Sequence, residues 1–126
     1  MKTKQLRAIE SIANELRAIE ADFPASYLAV LAYVAHHEAT HGEGPNVADI
    51  AEAIGIHRPS MSRTVLAMSD RRKGTQKVGE ARAKGGRKAM GLLERRPDPV
   101  DLRMVRVHIT NKGSSLLRRI SSHISE

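Results

Sequence analysis

Between Val47 and Asp70 the chain reads VADIAEAIGIHRPSMSRTVLAMSD, two short apolar periodicities separated by a single glycine. Ile50, Ala51, Ile54 and Ile56 share one helical face that stops at Gly55. From about His57 a second helix turns Met61, Val65 and Met68 inward. Ala51 is small enough for two helices to cross closely, and Gly55 supplies the sharp turn between them. Arg58, Ser60, Ser62, Arg63 and Thr64 are left facing outward, side chains of the kinds that read base edges and grip phosphates. The spacing predicts a helix-turn-helix over 47–70; an ordinary αα-hairpin within a small bundle is the alternative.

A length of 126 residues predicts a single domain over 1–126 with room for a modest core, and 40% hydrophobic with 28% charged residues is a globular balance. There is no cysteine, which removes disulfides and thiolate metal sites. No run is apolar enough to span a bilayer and MKTKQLRAIE lacks the apolar heart of a signal peptide, so a cytoplasmic setting is expected. The net charge of +7 has one source. Within 71–88, Arg71, Arg72, Lys73, Lys77, Arg82, Lys84, Arg87 and Lys88 face only Glu80, and the remaining thirteen cations and thirteen anions balance. A polyanion is the natural partner of such a block. Phe23, Tyr27 and Tyr33 all lie outside the basic and groove-facing stretches. Single-strand and RNA modules stack bases on aromatic rings, so duplex DNA is the polyanion expected.

Residues 3–23 predict a long amphipathic helix with Ile9, Ile12, Leu16, Ile19 and Phe23 on one seam, read as a dimerisation helix. Pro24 suits the start of a second helix. Leu28, Leu31, Ala32 and Ala35, flanked by Tyr27, Val30 and Val34, predict that this helix is apolar round most of its circumference and central. It ends before Gly42, and Asn46 with Asp49 forms a cap signal for the next helix. Gly74, Gly79, Gly85 and Gly86 interrupt the basic insertion 71–90, which reads as a DNA-gripping arm carrying Arg71, Arg72, Lys73 and Lys77; a solvated surface loop is the alternative. Residues 91–110 predict a β-hairpin: Leu92 and Leu93 open it, Pro97-Asp98-Pro99 turns it, and Val105, Val107 and Ile109 alternate with Arg106 and His108. Arg95, Arg96, Arg103 and Arg106 gather positive charge towards the tip, and Asp101 is spaced to hold the Arg103 guanidinium for a narrow groove. Thr110 or Asn111 caps a closing helix, 111–125, with Leu116, Leu117, Ile120 and Ile124 on one face. The fold class expected is mainly α with a small β-hairpin (α+β): a winged helix-turn-helix with N-terminal and C-terminal dimerisation helices.

IAEAIGIHRPSMSRTV and LLERRPDPVDLRMVRVHITNKGSSLL resemble the MarR family of bacterial transcriptional regulators, over about Pro24 to Leu117. The chain is short for that family and carries a basic insertion before the wing. The resemblance implies a homodimer that binds inverted-repeat operators, often under the control of a small-molecule effector. It implies recognition-helix contacts from Arg58, Ser60, Ser62 and Arg63, and a minor-groove contact from Arg103 supported by Asp101. The reading is a duplex-DNA-binding regulator, more a repressor than an activator. An architectural DNA-binding protein of low sequence preference is the alternative.

One motif competes. His37-Glu38-Ala39-Thr40-His41 matches the start of a zinc-protease signature, in which two histidines one helical turn apart hold the metal and the glutamate is the general base. A third ligand is needed, and position 47, where the longer signature requires histidine, is Val47. Glu52 lies on the helix-turn-helix, and Gly42 ends the helix at the second histidine. A metal-dependent hydrolase is therefore the weakest reading, a regulatory metal site from His36, His37 and His41 a second, and surface histidines at a helix end the simplest. The expectation is no enzyme, no metal and no cofactor.

Overall fold

The structure, a computed structural model, describes residues 1–69 and 90–124. Its centre is the pair α3 (Val47–Ile54) and α4 (Arg58–Met68). Asn46 caps α3 by accepting the Asp49 N–H at 2.8 Å, a contact of about 1 kcal/mol. Gly55 ends it in the left-handed region at φ +84°, which a side chain would strain. The turn brings Ile50 and Ala51 of α3 against Met61, Val65 and Met68 of α4, all five buried.

Ahead of this pair lie α1 (Thr3–Ile19) and α2 (Ala25–His41). The first helix stops four residues short of the expected Phe23. Glu20 already has an extended backbone, and helical geometry is also disfavoured at Phe23, which precedes Pro24. Released from the helix, Phe23 meets the Tyr27 ring edge-on at 5.9 Å. The seam of α1 is divided: Ile12, Leu16 and Ile19 pack on the core, while Ile9 is 55% exposed. Glu15 ties α1 to the last helix, accepting from Arg119 at 3.0 Å and pairing with His123 at 3.1 Å. Helix α2 is central, yet it buries only the stripe Val30, Leu31 and Val34; Ala32, expected inside, is exposed. Helix α2 meets α3, the wing strand β2 and the last helix.

The wing is a two-stranded antiparallel sheet, β1 (Leu93–Pro97) and β2 (Val105–Ile109), with Leu93 opposite Ile109 and Arg95 opposite Val107. Three neighbours hold its root. The loop from α2 runs along β2, where the Val107 N–H donates to the Pro45 carbonyl at 2.8 Å. Gly44 makes that approach possible, since a Cβ there would fall on the Val107 carbonyl. Glu38 of α2 accepts the Ile109 N–H and lies 3.5 Å from His108. The end of α4 holds β1: the Leu92 N–H donates to the Met68 carbonyl at 2.8 Å and Gly91 to Ser69 at 3.1 Å.

Helix α5 (Asn111–Ser122) closes the molecule with Leu116 and Ile120 in the core. Ile124, expected on that face, lies past the helix end and is exposed. Thr110 caps α5 by accepting the Gly113 N–H at 3.1 Å, while its hydroxyl donates to the Gly91 carbonyl at 2.6 Å. Lys112 reaches the Met90 carbonyl at 2.8 Å. Gly113 is buried where a Cβ would collide with the Leu92 carbonyl. Thr110, Lys112 and Gly113 thus weld the last helix to the wing root. Among the described residues no helix is long and apolar enough to cross a membrane.

Candidate nucleic-acid interface

Helix α4 has two unlike sides. Met61, Val65 and Met68 are fully buried, whereas Arg58, Ser62 and Arg63 are exposed and Ser60 and Thr64 half-buried. The buried side fixes the helix, so the polar side is presented at a set orientation. Arg63 lies one turn from Ser60 and donates to its hydroxyl at 3.3 Å, a contact weak enough to be exchanged for a ligand. His57 precedes the helix without a side-chain cap, and Pro59 occupies its first turn.

The wing tip is built around Asp98, only 4% exposed. Its Oδ1 accepts the N–H groups of Val100 at 2.7 Å and Asp101 at 3.0 Å, and its Oδ2 accepts Arg106 Nε at 2.7 Å. The Asp101 N–H first, then Arg106, hold the carboxyl down at about 2, well below the usual carboxylate value. The Asp98 N–H donates to the Met104 carbonyl and the Met104 N–H to the Asp101 carbonyl, each at 2.9 Å, closing the turn. From this braced turn Arg103 projects with 93% of its side chain exposed. Asp101 Oδ1 accepts both its N–H at 3.1 Å and its Nε at 3.4 Å. Arg95 and Arg96 are exposed on β1, and the Glu94 carboxylate, 3.0 Å from Arg96, raises that guanidinium's pKa.

The same arrangement of helices and wing occurs in solved structures. MepR of S. aureus in its DNA complex aligns with a TM-score of 0.63 at 18% identity, over 94% of this chain and 77% of that one. The transcriptional repressor CouR, bound to a 23-mer DNA duplex, aligns at 0.53 with 25% identity, over 94% and 66%. YusO of Bacillus subtilis aligns at 0.57 with 14% identity, over 94% and 65%. The fold is a MarR-type winged helix. By sequence, no family model and no curated protein matches the chain. It spans about two thirds of the length of CouR and YusO.

In this fold α4 is the second helix of the helix-turn-helix and β1–β2 is the wing. Of the candidate contacts, Arg58, Ser62, Arg63, Arg95, Arg96 and Arg103 are exposed, and Ser60, Thr64 and Asp101 are partly so. Arg106, expected to face DNA, is turned inward. Its side chain is 22% exposed, and besides Asp98 it reaches the Gly44 carbonyl at 3.2 Å and the Glu43 carboxylate at 3.6 Å. It positions the wing against the α2–α3 loop. Arg71, Arg72, Lys73 and Lys77 lie outside the described residues.

The His-Glu-x-x-His segment is occupied with structural contacts. Glu38, the would-be general base, is spent on β2 through Ile109 and His108. His37 Nδ1 bonds the Glu43 carbonyl at 2.9 Å, and its ring stacks on His41 at 4.1 Å. Among the described residues no three acidic or histidine side chains are grouped to hold a metal. Two roles escaped the sequence reading: Asp98 as the keystone of the wing tip and Glu38 as a strut of β2. The spacing Asp98-Pro99-Val100-Asp101 carried a signal for the first, because an aspartate ahead of a turn bonds the N–H groups two and three residues on.

Proposed function

We propose that this chain is a homodimeric transcriptional regulator, a repressor, that binds duplex DNA with sequence preference. The observation that carries the reading is the two-sided α4. Its apolar side is wholly buried and its Arg58, Ser62 and Arg63 side is exposed, in a fold seen on DNA in MepR and CouR. In this reading α4 enters the major groove, where Arg63 and Arg58 reach guanine edges or phosphates and the serines add shorter hydrogen bonds. Arg103, aimed by Asp101, meets the minor groove beside it. The cations of 71–88 contribute phosphate contacts without reading sequence. Two copies pair through the exposed part of α1, where Leu6 and Ile9 stand in solvent, and the end of α5. No catalytic step, metal or cofactor belongs to this function, which fits a cytoplasmic protein; a small-molecule effector would act by shifting the separation of the two recognition helices.

Selection from a pool of random duplexes at two salt concentrations tests the proposal. An enriched inverted repeat, with half-site centres about one helical turn apart, is expected. Tight binding with no enriched sequence and a steep loss in salt would replace it with an architectural role.

A further inference from the structure

Val100 is 94% and Leu102 77% exposed, although both belong to the most tightly braced turn of the wing. An exposed leucine on a slack loop can fold back onto the protein. Here the backbone is pinned on both sides: Asp98 holds the N–H groups of Val100 and Asp101, and Asp101 holds that of Arg103. The turn thus keeps two aliphatic side chains in water at a fixed position. Single exposed apolar residues are common on protein surfaces, but these two share their tip with the outstretched guanidinium of Arg103, with exposed Arg95 on the strand leading to it. The charge favours an anionic occupant, and the narrowness of a hairpin tip suits a narrow cleft. The minor groove of duplex DNA is about 6 Å wide, lined by sugar rings that offer aliphatic side chains an apolar wall.

We propose that Leu102, with Val100, packs against the walls of the minor groove beside Arg103, so that the wing reads groove shape by apolar contact as well as by charge. This rests on the DNA-binding function proposed above. The contact is sensitive to groove width, which depends on sequence, so the pair acts as a specificity determinant at base pairs flanking those under α4.

The test compares wild type with Leu102→Ser, Val100→Ser and the conservative Leu102→Met, using the duplex that wild type selects and a mixed-sequence duplex. All three changes are at the surface, and melting temperatures equal to wild type are expected. Leu102→Ser should bind the selected duplex about tenfold more weakly and lose selectivity at the flanking positions. Its salt dependence should stay as in wild type because no charge is removed. Val100→Ser should act in the same direction, and Leu102→Met should restore most of the affinity. Equal affinity and an unchanged selected sequence for both serine variants would overturn the inference. So would a drop in oligomeric mass on Leu102→Ser, which would assign the tip to a second copy of the chain. Should wild type enrich no sequence, the regulator proposal falls separately. The wing-tip inference is then decided on the mixed duplex, where Leu102→Ser binding as tightly as wild type refutes it.

Discussion

Arg103 and Arg106 stand three residues apart in one basic hairpin, and folding gives them opposite tasks. Arg103 stays in solvent under the control of Asp101, while Arg106 is drawn under the wing by Asp98, Glu43 and the Gly44 carbonyl. Asp98 carries a pH signature. Its folded pKa of about 2 lies below the ordinary 3.8, so its ionised form stabilises the protein above about pH 4. That stabilisation is lost as pH falls towards 2. Asp98→Asn should lower the melting temperature at neutral pH and flatten its decline between pH 4 and 2, measured by thermal unfolding across that range. A variant with the wild-type acid slope would assign the acid sensitivity elsewhere. The sequence placed Arg103 and Asp101 together because they are two residues apart. It counted Arg106 as one more groove-facing cation because the groups that capture it include Gly44, 62 residues away. Local partners are visible in a sequence; distant ones are not.

The α3–α4 unit was legible as a whole. Its signals are periodic and local: Ile50 and Ala51, the Asn46 cap, Gly55, then Met61, Val65 and Met68. The hairpin alternation of Val105, Val107 and Ile109 was legible for the same reason, though Val105 at its outer end is exposed. The elements that departed did so where a neighbour's geometry decides. Helix α1 stops at Ile19, where Glu20 turns to an extended backbone, and α2 leaves Ala32 exposed while burying Val30, Leu31 and Val34. Thr110 was legible as a cap of the closing helix, whereas the close seat of α5 on the wing root at Gly113 was not, because Leu92 lies 21 residues away in sequence. Gly113→Ala places a methyl against the Leu92 carbonyl and 2.8 Å from Ile109 Cγ1. It should cost roughly 1–3 kcal/mol in urea unfolding, the range for overpacking a tight site. A cost within about 0.5 kcal/mol of zero, the range of an ordinary surface change, would show that the seat yields easily.

Across the whole molecule, the described residues on either side of the basic insertion lie together: Met90 donates to the Ala67 carbonyl and Gly91 to that of Ser69, each at 3.1 Å. Replacing residues 70–89 by a short Gly-Ser turn should leave the core and the melting temperature nearly unchanged, since loop-closure entropy varies slowly with length. Duplex binding should weaken on every sequence and lose much of its salt dependence, because eight cations in 71–88 go with it. Binding with the wild-type salt slope would reduce the insertion to a surface loop. Sequence preference should survive the deletion if α4 does the reading. The most direct test is the ratio of affinities for the selected duplex and a scrambled duplex of the same composition, measured at fixed salt for wild type, Arg63→Ala and the insertion deletion. The expected result is a ratio preserved in the deletion and reduced in Arg63→Ala, by roughly 1–3 kcal/mol if Arg63 contacts a base. A ratio that collapses with the insertion and ignores Arg63 would contradict the account and move specificity out of the recognition helix.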